Sequence, residues 1–326
     1  MRYIDLHSDT LAKAFIEGKN TITNMPNCMV DVERLYKVGA GAQFFAMFLP
    51  QPGDEEHFGV KYPSDDEYIS SLASILRNTI QENPQKIAFA KNVDEMMKNQ
   101  EEGKVSAFLT IEDGRSVDGK MEKIDQYYDL GVRLISLTWN YNNCFGAANS
   151  KDEEQMKTGL TCFGKEAISH MKELGMLVDV SHLSDGGFYD VADILNSPFV
   201  ASHSNCRELC NHPRNMTNEM IRMLSNKGGV SGLNFYAHFL KPVVDSADSR
   251  VVDMIAHVNH MYQFGGEDVI AIGTDFDGIS GDNFDIDCPT KMYLLFDALK
   301  KAGYSERQID KFAFGNASRV MKDVLK

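Results

Sequence analysis

The chain holds one tryptophan in 326 residues, nine prolines, and six cysteines without a C-x-x-C pair. The missing pair removes the simplest zinc clip and the thioredoxin-type redox motif. Cys206 and Cys210 have helical spacing, but no second pair completes a cysteine site. Cys28, Cys144, Cys162 and Cys288 are scattered singly, which fits free thiols in a reducing compartment better than a disulfide framework. No apolar run is long enough to cross a bilayer. Met1-Arg2-Tyr3 runs directly into a strand-like stretch, so no signal peptide is expected and the protein reads as cytoplasmic. Positive charge is also scarce: Lys and Arg number 33 against 47 Asp and Glu, a net charge of −14. Without a basic run, such a chain is a poor partner for nucleic acid or for anionic membrane surfaces.

What is present is ordinary globular material, 43% hydrophobic and 25% charged. The length is long for one domain but within the range of an α/β barrel with insertions. No repeat, low-complexity tract or linker divides the chain, so residues 1–326 read as one domain. Apolar patterning predicts eight strands, over Tyr3–His7, Gly41–Leu49, Val105–Glu112, Val132–Trp139, Met176–His182, Pro198–His203, Gly228–Phe235 and Val269–Asp275. Helical spacing is predicted over Thr10–Glu17, Val32–Val38, Asp65–Glu82, Asp94–Gln100, Met121–Leu130, Phe163–Leu174, Ser184–Leu195, Asn218–Asn226 and Arg250–Phe264. Further helices are expected from Lys291, Ser305 and Asn316, and Gln51–Pro63 reads as a loop.

Strands alternating with helices predict an α/β fold, a (β/α)8 TIM barrel with extended βα loops; an open doubly wound sheet is the competing architecture. In the last strand Ile270, Ile272 and Thr274 should face the helices, and Val269, Ala271, Gly273 and Asp275 the barrel axis. Asp179 breaks the pattern, because the same alternation puts it on the helix-facing side of the fifth strand. The long connections follow the second, fourth, seventh and eighth strands. They would all lie at the C-terminal end of the barrel, where active sites of this fold are built.

One stretch organises the chain. In Asp5-Leu6-His7-Ser8-Asp9 the period of a strand puts Ile4 and Leu6 on one face and Asp5, His7 and Asp9 on the other. His7 and Asp9 then make half of a metal site. The third strand ends in Glu112, the fifth in His182, the sixth in His203 and the eighth in Asp275. Each residue alone has a plain structural explanation, such as a hydrogen-bonded histidine or a turn aspartate before Gly278. Their coincidence at one end of five strands does not. Three imidazoles and three carboxylates suit two divalent ions bridged by a carboxylate. Nitrogen and oxygen ligands without thiolate fit Zn²⁺, and also Mn²⁺, Co²⁺ or Fe²⁺.

These segments carry a resemblance. Asp5-Leu6-His7-Ser8-Asp9, Ile111-Glu112-Asp113-Gly114, Asp179-Val180-Ser181-His182, Ser202-His203-Ser204, Arg214-Asn215, Gly273-Thr274-Asp275-Phe276-Asp277-Gly278 and Gly315-Asn316 with Arg319-Val320 resemble, in this order, the membrane (renal) dipeptidase family. That family is a branch of the metal-dependent amidohydrolase barrels. The resemblance implies a cofactor of two Zn²⁺. His7 and Asp9 match the ligands of one, His182 and His203 those of the other, and Glu112 the bridge. It implies that Asp275 handles protons, that Arg214 holds the terminal carboxylate of a dipeptide substrate, and that Tyr236 lines the pocket. It allows for a homodimer, and for a D-residue on the C-terminal side of the substrate. Mammalian members are secreted and lipid-anchored; this chain resembles a cytoplasmic, bacterial-type member.

The chain departs from the family at Trp139, where the best-known members have a histidine after Leu-Thr. An indole donates one hydrogen bond but accepts no proton. Either Trp139 serves as donor and pocket wall, or Asn140 or Asn143 takes the polar role. The expected function is therefore a zinc dipeptidase acting through metal-activated hydroxide. The alternatives are another amidohydrolase acting on a cyclic amide, lactam or lactone, and a non-catalytic metal-binding barrel.

Overall fold

The computed structural model describes residues 1–51, 53, 62–244 and 246–326. The loop expected over Gln51–Pro63 thus falls mostly outside the described residues. Among those described, nine strands form one parallel sheet: β1 (Ile4–Ser8), β2 (Ala42–Phe48), β3 (Ile87–Phe89), β4 (Val105–Glu112), β5 (Val132–Ser136), β6 (Leu177–Asp179), β7 (Val200–Ala201), β8 (Val230–Leu233) and β9 (Ile270–Ile272). The spatial order is β2-β1-β9-β8-β7-β6-β5-β4-β3, and a β2–β4 pairing closes eight strands into a barrel. These eight are the expected ones. β3 lies outside the ring, pairing with Val105, Ser106 and Ala107 of β4 before β5 takes over at Leu109. Three residues are too few to show an alternation, so this strand has no signature in the sequence.

The helices are α1 (Thr10–Ile16), α2 (Val32–Val38), α3 (Asp65–Glu82), α4 (Val93–Glu101), α5 (Met121–Leu130), α6 (Glu153–Lys157), α7 (Cys162–Leu174), α8 (Asp185–Ile194), α9 (Asn218–Asn226), α10 (Ala237–Leu240), α11 (Val251–Gly265), α12 (Tyr293–Lys301), α13 (Glu306–Asp310) and α14 (Asn316–Val324). Several of their starts follow capping chemistry. Ser64 and Glu67 form a capping box ahead of α3, and Asp31 accepts the Arg34 N–H ahead of α2. No helix among the described residues is long and apolar enough to cross a membrane. The connections after β2, β5, β8 and β9 are long, as expected, and those after β5 and β8 carry the short helices α6 and α10. The connection after β7 is also long, and it brings Arg214.

Two apolar layers hold this arrangement. The larger lies between the sheet and the helices. The smaller fills the barrel, where Ile4, Leu6, Phe44, Phe108, Leu134 and Leu177 meet. Phe44 and Phe108 stack there with centroids 4.7 Å apart. The same cluster takes Ala317, Val320 and Met321 of α14. Ala271 belongs to this inner cluster and Ile270 and Ile272 to the outer one, as the alternation predicts; Val269, expected on the barrel axis, joins the outer cluster instead, because the strand and its alternation begin only at Ile270.

Asp179 does not follow its predicted orientation. Leu177 is in the inner cluster and Val178 in the outer one, so Asp179 points into the barrel, fully buried. Its Oδ2 accepts the hydroxyls of Ser136 (2.5 Å) and Ser202 (2.6 Å). Its Oδ1 accepts the backbone N–H groups of Ser181 (3.0 Å) and Ser202 (2.8 Å). The expectation erred because it placed the fifth strand one step out of phase. Those donors would otherwise be stranded in a water-free interior. Asp179→Ala leaves three of them without a partner, the Ser202 hydroxyl keeping Ser181 Oγ within reach, so it should lower the unfolding free energy by on the order of 3 kcal/mol or more. Denaturant unfolding monitored by circular dichroism measures this.

Candidate metal centre

The site begins with an irregularity in β1. Asp5 pairs with Gln43 and Ser8 with Phe45, so β1 carries one more residue than β2 over this interval. A bulge of this kind changes which face a side chain takes. Asp5 therefore turns away from His7. Its carboxylate accepts the Thr274 N–H (2.9 Å) and hydroxyl (2.7 Å) in the outer layer. His7 turns to the rim, with Nε2 3.2 Å from Glu112 Oε2. Asp9, in the cap position of α1, brings Oδ2 to 3.5 Å from the same nitrogen. The expected convergence of His7 and Asp9 holds; the expectation that Asp5 shares their face does not.

Glu112 is the last residue of β4. Its Oε1 lies 3.0 Å from His182 Nε2 and 3.7 Å from His203 Nε2. The expected strands through His182, His203 and Asp275 end earlier, at Asp179, Ala201 and Ile272. The side chains still reach the rim because the chain turns sharply there. His182 (φ 69°) and Asp275 (φ 62°) adopt the left-handed conformation, which costs non-glycine residues on the order of 1 kcal/mol or more.

The ring nitrogens have defined roles. His203 Nδ1 donates to Ser202 Oγ (2.8 Å), which in turn donates to Asp179. His182 Nδ1 donates to Asn140 Oδ1 (3.1 Å). In both rings the Nε2 lone pair is left facing the site, and the two Nε2 atoms stand 3.1 Å apart. Two lone pairs at that separation need a proton or a cation between them. Burial, together with the charges of Arg214 and His7, shifts both rings well below the ordinary histidine pKa and so disfavours the proton.

The remaining groups agree. His7 Nδ1 and Nε2 and Asp9 Oδ1 are buried with no hydrogen-bond partner among the described residues. Burial pushes Glu112 up to about 8, against the pull of His7 and with the push of Asp9. Burial likewise pushes Asp275 up to about 6. His7 is driven the other way from its neighbouring rings, because Glu112 and Asp9 outweigh its own burial and raise it. Ligand atoms of His7, Glu112 and His203 lie within 4.8 Å of one another, as do those of His7, Asp9 and Asp275. His7 belongs to both groups. An imidazole and carboxylate cluster with orphaned lone pairs fits hard or borderline divalent cations.

A cavity of about 520 Å³ opens onto Asp9, Glu112, His182 and Asp275. A larger groove of about 780 Å³, beside α6 and α8, touches none of these residues. Trp139 lies in the wall of the smaller cavity, its indole N–H donating to no described residue. Asn140 accepts from His182 through Oδ1, which leaves its amide N–H groups unused by that bond, and Asn143 is engaged at both ends by Asp113, Leu137 and Phe145. Arg214 is buried; it donates to Ser204 Oγ and to the His203 carbonyl, both at 3.2 Å. Burial pulls its pKa down to about 10, no carboxylate pairs with it among the described residues, and its Nε has no partner. Tyr236 is outside the cavity wall; it packs edge-on against Phe239, the ring beneath the Arg214 guanidinium.

Three further residues, to which the sequence reading assigns no role in the site, support it. Asn234 donates to Asp275 Oδ2 (2.8 Å). Asp277, buried, accepts from Thr10 Oγ1 and from the Met29 and Val30 N–H groups, tying the segment before α2 to the rim. Gly278 permits a close approach: an added Cβ would sit 2.0 Å from Asp9 Oδ2 and 2.6 Å from Asp275 Oδ1. Its position after two aspartates in Asp275-Phe276-Asp277-Gly278 was the available signal.

Comparison with known proteins adds a lineage. A family model described as "Membrane dipeptidase (Peptidase family M19)" matches residues 1–326. A Klebsiella pneumoniae protein described as an uncharacterized protein in the pqqA 5' region is 34% identical over 230 residues, which are 68% of this chain and 84% of that one. Dipeptidase verJ of Clonostachys rogersoniana is 28% identical over 299 residues, 90% of this chain and 75% of that one. The fold is shared with a metallo peptidase from Rhodobacter sphaeroides solved with a phosphinate mimic of the dipeptide L-Ala-D-Ala. That similarity has a TM-score of 0.88 at 23% identity and covers 99% of each chain.

Gly278→Ala should displace Asp9 or Asp275 while sparing the apolar layers. The expected result is a fall of about 10–100-fold in divalent-ion affinity with the unfolding midpoint of the metal-free protein little changed. Metal titration and thermal unfolding of the same sample measure the two quantities.

Proposed function

The chain belongs to the membrane dipeptidase family, and from this we propose that it hydrolyses dipeptides bearing a free C-terminal carboxylate, at a centre of two zinc ions. The observation that carries the substrate class is Arg214, a buried guanidinium without a carboxylate partner, set beside the imidazole and carboxylate cluster. A buried cation of this kind stabilises an anion delivered by a ligand.

In this reading His7, Asp9, Glu112, His182 and His203 would hold the two ions. Bound there, the ions would supply Lewis acidity and lower the pKa of a water towards neutrality. The chain's own residues do the rest. Asn140 and Ser202 fix the tautomers of His182 and His203, so that both present Nε2. Arg214 receives the terminal carboxylate in a forked pair of hydrogen bonds and sets the peptide bond over Glu112. Asp275 accepts the proton of the attacking water and returns it to the leaving amine. Asn234 holds its Oδ2 and leaves the other oxygen for that transfer. Trp139 closes the wall and helps exclude water.

The first experiment combines elemental analysis with hydrolysis of L,L- and L,D-dipeptides before and after chelation. About two zinc per chain, with activity lost to the chelator and restored by metal, is expected. Metal without peptide turnover, together with hydrolysis of a lactam or lactone, would replace the dipeptidase reading. Two variants separate the roles. Asp275→Asn should retain metal and lose roughly 100-fold or more in kcat. Arg214→Met should mainly raise KM and erase the advantage of a free carboxylate over its amide. Unchanged kcat in the first, or an unchanged carboxylate preference in the second, would remove that residue from the mechanism.

A further inference from the structure

We propose that Phe48, Trp139, Tyr141 and Tyr62 form the subsite for the side chain of the substrate's N-terminal residue and select bulky apolar or aromatic groups there. The inference rests on the dipeptidase reading above and adds the substrate class within it.

The argument is topological. Around the ring β1-β2-β4-β5-β6-β7-β8-β9, β2 stands opposite β7. Arg214 lies in the connection after β7 and is bonded to its continuation, at the His203 carbonyl and Ser204. Phe48 is the last residue of β2, and Trp139 follows β5 by three positions. A dipeptide with its carboxylate at Arg214 and its peptide bond over Glu112 must extend its N-terminal residue towards the β2 side of the mouth.

That side is aromatic. Phe48 and Trp139 pack edge-to-face with centroids 4.9 Å apart, and Trp139 and Tyr141 are 6.0 Å apart. The Trp139 ring is also 6.3 Å from His182, so the wall reaches the metal ligands. Tyr141 is half exposed and stands in the same wall, as does Tyr62. Such rings offer a large apolar surface with few rotamers to freeze, and a ligand side chain displaces weakly held water from them. The nearest competing feature is Lys13, an exposed cation lining the same cavity. It would favour an acidic side chain instead.

The test uses the metal-loaded full chain and a series L-Xaa-D-Ala with Xaa as Ala, Leu, Phe and Glu. The expected result is a kcat/KM about tenfold or more higher for Phe and Leu than for Ala. Trp139→Ala should collapse the Phe-to-Ala ratio, and Trp139→Phe should retain it. A second readout does not depend on turnover. Trp139 is the sole tryptophan, so its fluorescence should shift on binding a phosphinate mimic of Phe-D-Ala, and shift less with the mimic of Ala-D-Ala. A ratio that survives Trp139→Ala overturns the subsite and leaves the dipeptidase reading intact. A preference for Glu that Lys13→Met abolishes overturns it in favour of Lys13. Hydrolysis of no dipeptide overturns the functional reading and this inference with it.

Discussion

The rim of the barrel depends on one buried carboxylate. Asp179 binds two serine hydroxyls and two backbone N–H groups in the interior, just above the apolar layer. In taking the N–H groups of Ser181 and Ser202 it replaces sheet partners with a side chain, and β6 and β7 end at Asp179 and Ala201. Released from the ladder, the chain is free to turn, and each strand presents a histidine within three residues. The Asp179–Ser202–His203 relay carries the same constraint out to a ring nitrogen. Glycine makes the geometry possible. A Cβ on Gly232 or Gly273 would lie within 2 Å of the Ser202 carbonyl, which occupies the space those two residues leave.

Above that layer the electrostatics are those of a site built for cations. Buried carboxylates crowd one another, and Glu112 and Asp275 are both driven upward. The neighbouring imidazoles of His182 and His203 are held neutral, so they do not relieve that crowding. Arg214 contributes to keeping them neutral. The Arg214 guanidinium therefore acts twice, disfavouring protonation of both rings and presenting a positive charge of its own. Left-handed backbone at His182 and Asp275 adds strain at the same place. Strain and like-charge crowding persist only where the surroundings enforce them, and here Asn140, Asn234 and Asp179 do so.

Much of this was legible in the sequence. All eight barrel strands carry enough apolar residues to show, and α2, α3, α5 and α9 have the expected bounds because caps and periodicity agree. The ligand-type residues showed as a coincidence at strand ends, and the structure brings His7, Asp9, Glu112, His182, His203 and Asp275 together. What was hidden depends on contacts between distant segments. The bulge that separates Asp5 from His7 is a difference in residue count between β1 and β2, which neither strand reveals alone. The inward turn of Asp179 rests on two serines, 43 and 23 residues away. The bond between Asn140 Oδ1 and His182 is equally invisible in either segment alone. Tyr236 suffers the opposite fate, drawn from the cavity wall into the packing beneath Arg214.

The division of labour between strands and loops follows from rigidity. The ligand cluster is fixed by strand ends and their immediate continuations, which the barrel and the Asp179 network hold in place. The groups that would meet the ends of a substrate sit farther along the connections: Arg214 after β7, Trp139 and Tyr141 after β5. Such connections can change length and residue type without disturbing the cluster, because few of their side chains enter the inner layer. Trp139 bonds to none of the described residues and joins an aromatic wall. An indole puts no proton-accepting group at the edge of the site and adds apolar surface there. In the proposed reaction the proton transfers would fall to Asp275, and the wall would select for shape.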